Sequence, residues 1–236
     1  MIKQLRASGG IWICACGKNI IVDPGPGSIV RCAASRPKLD PSQLDAIILT
    51  HKHLDHSGDI NVMIEAMTEG GFKRRGVVFA PADALEDDPV ILQYIRHFPE
   101  AIILLEADKE YAVGDFVFAT SMRHIHPVET YGLKFNIKGK VVSLLTDTKY
   151  FPGLEQFYKS DILIICVVFS QPRLGVDHLC LADVEKIIDD TRPAKVILTH
   201  FGMTMLQAKP HIQAEQLAQH YGIEVLAAYD GMLVES

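Results

Sequence analysis

Short apolar runs, each bounded by polar, glycine or proline residues, recur along the chain. They predict strands at Ile11 to Ala15, Ile20 to Val22, Ala46 to Leu49, Val77 to Ala80, Phe116 to Ser121, Leu133 to Ile137, Val141 to Leu145, Ile162 to Val168, Val196 to Leu198 and Val225 to Ala228. Runs of this length between turn signals read as buried strands, and Lys138-Gly139 between two of them reads as a hairpin turn. Helical spacing is confined to Ile60 to Thr68, Leu181 to Asp190 and Pro210 to Tyr221. The second has an apolar stripe at Leu181, Val184, Ile187 and Ile188, and the third stops at Gly222, a residue suited to a helix C-cap. Strands come first, in antiparallel style, and then alternate with helices. That order predicts two packed sheets covered by helices.

Composition narrows the class. A chain of 236 residues, 48% of them hydrophobic, can bury one large core, so residues 1–236 are expected to form a single domain. No apolar stretch approaches the ~20 residues that a membrane-spanning helix needs. Met1-Ile2-Lys3-Gln4-Leu5-Arg6 runs into a strand pattern and lacks the long apolar segment of a secretory leader. Five cysteines, an odd number without regular spacing, favour free thiols in a reducing compartment, so a cytoplasmic location is expected. The net charge of -6 argues against broad nonspecific nucleic-acid binding, which rests on basic residues.

The densest chemistry lies in Thr50-His51-Lys52-His53-Leu54-Asp55-His56, directly after the apolar run Ile47-Ile48-Leu49. Three histidines and an aspartate are too many ligands for one ion to take from so short a loop. His51 and His53, two apart on an extended segment, point the same way and could chelate one metal, leaving Asp55 and His56 for a second. Imidazole and carboxylate without thiolate suit zinc, iron or manganese.

This cluster matches the His-x-His-x-Asp-His signature of the metallo-β-lactamase superfamily, which the whole chain resembles. Asp23-Pro24-Gly25-Pro26-Gly27 looks like that superfamily's early aspartate-glycine strand end. His126-Pro127-Val128-Glu129-Thr130-Tyr131-Gly132 resembles the segment bearing the third histidine in its phosphodiesterase members. Leu144 to Thr148, Ile197 to Phe201 and Tyr229 to Met232 resemble its later strands, in family order. The resemblance implies an α/β fold (α+β in some schemes), the four-layer αββα sandwich. It implies two divalent cations, zinc first with manganese or iron as alternatives. His51, His53 and His126 would hold one, Asp55, His56 and His200 the other, and Asp147 would bridge them.

The chemistry that follows is hydrolysis by a metal-bridging hydroxide, since two cations favour deprotonation of a shared water. Asp55 can also orient that nucleophile. Asp59 is expected to accept a ring N–H from a ligand histidine, with a helix-start role as the alternative. His124 and His126 are two apart, so either could be the third histidine. The spacing of His126 to Thr130 and Gly132 resembles the family segment, and that resemblance favours His126 and leaves His124 behind the ligands or on a strand surface. His178, in Asp177-His178-Leu179-Cys180, resembles the position at which ribonuclease Z and related phosphodiesterases contact the scissile phosphate. There it could protonate a leaving alkoxide; the alternative is a solvated or capping histidine.

Asp147 argues against the zinc β-lactamases, whose second metal typically has a cysteine, and His53 and His56 argue against flavodiiron oxygen reductases. Thioester and lactone hydrolases share the full ligand set. The His126 segment and His178 favour a phosphodiesterase, related to ribonuclease Z and to the cyclic-phosphate phosphodiesterases. The first relative's long basic arm and the second's cysteine-rich zinc loop are not reproduced. A small or cyclic phosphodiester is therefore the expected substrate ahead of RNA, with a homodimer allowed. A noncatalytic ligand-binding or regulatory module is the reading of another class, disfavoured by a full ligand set. Lys73-Arg74-Arg75 reads as a solvated loop, His211 and His220 as helix surface, and Trp12 as core or sheet edge. Cys14 and Cys16 read as core or half-buried strand thiols.

Overall fold

The structure, a computed structural model, describes residues 5–235. Met1 to Gln4, expected to lead into a strand, lie outside the described residues. The chain divides into two compact units, Met1–Val117 and Phe118–Ser236.

The first unit holds strands β1 (Ile11–Ala15), β2 (Lys18–Val22), β3 (Ala46–Ile48), β4 (Val77–Ala80) and β5 (Ala101–Leu104), hydrogen-bonded in that order. β1 and β2 form an antiparallel hairpin through Cys16 and Gly17, both at positive φ, the backbone that a two-residue hairpin turn requires. From β2 onward every pairing is parallel. The antiparallel style expected for the early strands therefore stops at the first hairpin. Burial on both faces explains the unbroken apolar runs Ile20-Ile21-Val22 and Ala46-Ile47-Ile48, since parallel strands are covered on both sides. Helix α1 spans Ser28–Ala34, α2 Leu54–Ser57 and α3 Ile60–Met67. α3 buries Ile60, Met63, Ile64 and Met67, one helical stripe, in a cluster with Leu44, Ile47, Leu49 and Val78. Strand β6 (Glu110–Val113) follows, and the division between the units falls within β7 (Phe116–Thr120).

The second unit continues with β8 (Leu133–Ile137), β9 (Lys140–Leu145), β10 (Ile162–Cys166), β11 (Lys195–Thr199) and β12 (Glu224–Ala227). Sheet order is β12-β11-β10-β9-β8-β7-β6. β7 to β9 are antiparallel, with Lys138 and Gly139 at positive φ in the turn, as the hairpin reading requires. β9 to β12 are parallel. Helix α4 (Leu181–Thr191) buries Val184, Ile187 and Ile188. α6 (Pro210–Tyr221) follows the short α5 (Met203–Gln207), buries Ala214 and Leu217, and ends at Gly222 with φ 65. Both long helices pack in one cluster with Leu163, Ile165, Val196 and Leu198.

Several elements depart from expectation. β5 is an edge strand, exposed although Ala101 to Leu105 is a continuous apolar run, and β6 alternates over only four residues; neither was among the expected strands. α1 follows Pro-Gly-Pro-Gly, which reads as turn, and α2 is a single turn inside the histidine motif. Cys14 and Cys16 are exposed, not core: Cys14 takes the outward position on β1 and Cys16 lies in the turn. Among the described residues no helix is long and apolar enough to cross a membrane.

Candidate metal centre

In the first unit, the parallel register Val22↔Ile48 sets the ends of β2 and β3 side by side, so Asp23 and the Thr50 segment emerge together. Such carboxyl ends are where open α/β sheets place ligands. Asp23 is buried, and its Oδ1 accepts the Thr50 backbone N–H at 2.7 Å. Its Oδ2 accepts the Thr50 hydroxyl at 2.7 Å and lies 3.0 Å from His56 Nδ1. His51 Nδ1 lies 3.1 Å from Thr50 Oγ1, whose proton is given to Asp23. The network assigns an Nδ1–H to both His51 and His56 and puts each ring's lone pair on Nε2, the second contact that fixes a ligand histidine's tautomer.

His51 and His56 rings are 4.0 Å apart and His51 and His53 rings 5.0 Å. Ligand atoms of Asp23, His51 and His56 lie within 4.8 Å of one another. Asp55 Oδ2 stands 3.9 Å from His56 Nε2. Lys52, between the histidines, turns away to the carbonyls of Asp83 and Asp87, while the Ser57 hydroxyl donates to the carbonyls of Lys52 and His53. Gly25 permits the close packing behind this turn: a Cβ there would sit 2.1 Å from the Asp55 carbonyl oxygen and 2.2 Å from that of Ser8. Asp59 takes the helix-start alternative, standing at the N-cap of α3. Its side chain accepts the Ile29 backbone N–H at 3.0 Å and makes no helix-cap bond; Asp23 has the histidine-orienting role.

In the second unit, Asp147, Val168 and His200 follow the parallel strands β9, β10 and β11. His124 is buried and lies in a loop, not on a strand surface. Its Nδ1 lies 3.1 Å from the Asp147 carbonyl oxygen and its Nε2 2.6 Å from Tyr158 Oη. The ring therefore donates from Nδ1 to the carbonyl and accepts the tyrosine proton at Nε2. Burial holds its pKa down at about 4 and pushes the Tyr158 hydroxyl well above its ordinary value. A neutral ring with both nitrogens so engaged braces the Asp147 backbone. His126 differs: its Nδ1 lies 3.0 Å from the Asp177 carbonyl oxygen, which orients Nε2 as the ligand atom.

Asp147, also buried, has Oδ2 3.5 Å from His200 Nε2 and 3.7 Å from His178 Nδ1. Two ligands of one tetrahedral zinc stand about 3.4 Å apart at ordinary bond lengths, so the Asp147–His200 spacing fits a shared cation. His200 adopts φ 60, uncommon for a side-chain-bearing residue, and the next turn is fixed by Gly202, whose N–H donates to the Val168 carbonyl at 3.1 Å. The His178 ring centroid is 5.2 Å from that of His126, 6.2 Å from His200 and 6.1 Å from Phe169. It is not a helix cap: α4 is capped at Cys180, whose N–H and Sγ bond the Asp183 carboxylate.

Each unit thus gathers its own share of the predicted residues: His51, His53, Asp55 and His56 in the first, His126, Asp147, His178 and His200 in the second. Asp23 and Tyr158 escaped sequence reasoning as functional groups. For Asp23 the signal was available, since it closes one apolar run as Thr50 closes the next. The donors are imidazoles and carboxylates without thiolate, a set that fits divalent cations such as zinc. Lys73, Arg74 and Arg75 bind Glu69 and loop carbonyls, and His211 and His220 are exposed, as expected. Trp12 packs half-buried against the first core, also as expected.

Residues 18–201 match the family model described as Beta-lactamase superfamily domain. An uncharacterized protein of Methanocaldococcus jannaschii is 31% identical over 99% of this chain and 89% of its own length. Among solved structures, the metallo-β-lactamase fold protein YhfI of Bacillus subtilis superposes with a TM-score of 0.78 at 21% identity, over 98% of this chain and 92% of that one. A diphosphatase of the PhnP family gives 0.71 at 21% identity, over 95% and 82%. The human short-form tRNase Z gives 0.68 at 16% identity, over 97% and 92%. The chain belongs to the β-lactamase superfamily domain family of metal-dependent hydrolases, and its fold is the metallo-β-lactamase fold, the αββα class expected from its sequence.

Proposed function

We propose that residues 1–236 act as one dinuclear phosphodiesterase domain. Its ligands are His51, His53 and His126 for one cation, Asp55, His56 and His200 for the other, with Asp147 shared. Zinc is the first choice of metal, and the substrate is a small or cyclic phosphodiester in the cytoplasm. Two divalent cations would supply an activated water and neutralise charge on the phosphoryl oxygens.

The chain's own groups do the rest. Asp23 and the Asp177 carbonyl hold His56 and His126 in the ligand tautomer. Asp55 accepts a proton from the nucleophile and orients it. His178 carries the reading, because its Nδ1 stands 3.7 Å from the Asp147 carboxylate. A protonated imidazole held there can deliver its proton to a departing alkoxide, a poor leaving group without one. The diphosphatase and tRNase Z among the structural neighbours act on phosphate compounds and support the same class.

The test is hydrolysis by the purified protein of bis(p-nitrophenyl) phosphate, cyclic nucleotides, a thioester, a lactone and a lactam, each with zinc and with manganese, alongside metal analysis. Preference for the diesters, with two metals per chain falling in Asp147→Ala, is the expected result. Preference for the thioester or lactone would move the protein to another branch. Fewer than one metal per chain without hydrolysis would make it a binding module.

A further inference from the structure

Resting on the phosphodiesterase reading, we propose that Arg173 is an anion-recognition residue that selects substrates with a second phosphate or carboxylate beyond the scissile phosphate. The Phe169 backbone is pinned to the segment that follows His178: the Phe169 N–H donates to the Leu179 carbonyl at 3.2 Å, and the Leu181 N–H donates to the Phe169 carbonyl at 3.2 Å. This parallel bridge between Phe169 and Cys180 closes the neck of a loop, residues 170–178, that opens beside His178. The Phe169 ring packs edge-on to the His178 ring at 6.1 Å.

Arg173 folds back from the loop so that its guanidinium carbon lies 5.5 Å from the Phe169 ring centroid. A guanidinium held over an aromatic face by cation–π attraction spends none of its five N–H donors on that contact and can still bind phosphate or carboxylate through two parallel hydrogen bonds. Among the described residues no carboxylate pairs with Arg173. Its neighbour Leu174 is fully exposed, and a Cβ on Gly175 would meet nothing within 4 Å. The tip of the loop therefore stands open to solvent. The other nearby cation, Lys149, is engaged with Asp177 at 3.8 Å. On a chain with a formal charge of -6, an uncompensated guanidinium held one aromatic ring away from the proposed leaving-group acid is a placed charge.

The test uses a matched pair of substrates, thymidine 5′-(p-nitrophenyl phosphate) with and without a 3′-phosphate. Wild-type protein should favour the 3′-phosphorylated ester, and Arg173→Ala should lower that preference about tenfold or more, through KM and not kcat, the scale of a lost charge-assisted contact. Arg173→Lys should restore part of it, since charge survives and the planar fork does not. Calorimetry gives a readout independent of turnover: Arg173→Ala of the metal-loaded protein should weaken thymidine 3′,5′-bisphosphate about tenfold relative to thymidine 5′-phosphate. An unchanged ratio in both measurements overturns the proposal. Turnover of neither ester, with the binding difference intact, would instead sink the phosphodiesterase reading and leave the anion site standing.

Discussion

Asp23→Asn separates folding from metal binding at a single atom. The carboxylate of Asp23 accepts three hydrogen bonds, from the Thr50 backbone, the Thr50 hydroxyl and His56 Nδ1. Asparagine preserves size and the left-handed backbone at φ 52, which it tolerates well. Its carbonyl can keep the Thr50 N–H, but its amide must point N–H bonds at Thr50 Oγ1 and His56. The threonine hydroxyl then turns its proton towards His51 Nδ1, and His56 must accept at Nδ1. Both imidazoles are driven to the Nε2–H form, which cannot bind a cation. The stability cost is one charged-acceptor bond weakened to a neutral one, about 1–2 kcal/mol, or a melting temperature lowered by roughly 2–8 °C for a chain of this size. Metal affinity should fall further, by about 10- to 100-fold, as with other lost partners of ligand histidines. Asp23→Ala should cost about 3–5 kcal/mol, since it strands three buried donors and adds backbone strain. Chelator competition gives the affinity, thermal unfolding of the metal-free protein gives the stability, and long-range nitrogen–proton NMR gives the tautomers. Affinity for metal within twofold of wild type in a folded Asp23→Asn protein would refute the reasoning.

His126→Ala should lower metal content, whereas His124→Ala should leave stoichiometry intact and destabilise by about 2–3 kcal/mol through the unsatisfied Tyr158 hydroxyl and Asp147 carbonyl; metal analysis and urea unfolding distinguish them. His178→Ala should lower kcat about 100-fold on a diester with an alkoxide leaving group, and far less on a p-nitrophenyl ester, with metal content unchanged; equal losses on both would argue against proton transfer. Gly25→Ala should displace the Asp55 turn, because a Cβ at 2.1 Å from the carbonyl oxygen cannot be accommodated, and metal content should fall with stability. Gly27→Ala, with nothing within 4 Å of its Cβ but φ at +86, should cost only about 1–2 kcal/mol and keep its metals.

The parts of the fold legible in the sequence are those whose residues report their own surroundings. Ile20 to Val22 and Ile162 to Cys166 are apolar because both faces are covered, and α4 shows its stripe because one face packs. β5 carries the same signal, the apolar run Ala101 to Leu105, and was readable although missed, whereas β6 was illegible because four alternating residues fit many conformations. The histidine motif was readable because its ligands are crowded into six residues. Asp23 and Tyr158 were not, because their roles depend on partners 27 to 34 residues away, set by strand register. Cys14 and Cys16 misled because alternation along a strand says which residues share a face, not which face meets solvent.

That error has a practical return. Of the five thiols, Cys14 and Cys16 are accessible while Cys32, Cys166 and Cys180 are buried, so a thiol reagent should count two in the native protein and five after unfolding. The three protected thiols also divide by unit: Cys32 lies on α1 in the first core, whereas Cys166 ends β10 and Cys180 is the N-cap of α4. Cys180 is further protected by its bond to Asp183 and by burial, which pushes its thiol pKa up and slows its reaction. Pulsed labelling read by mass spectrometry would then time the opening of each half of the molecule separately, with no introduced probe.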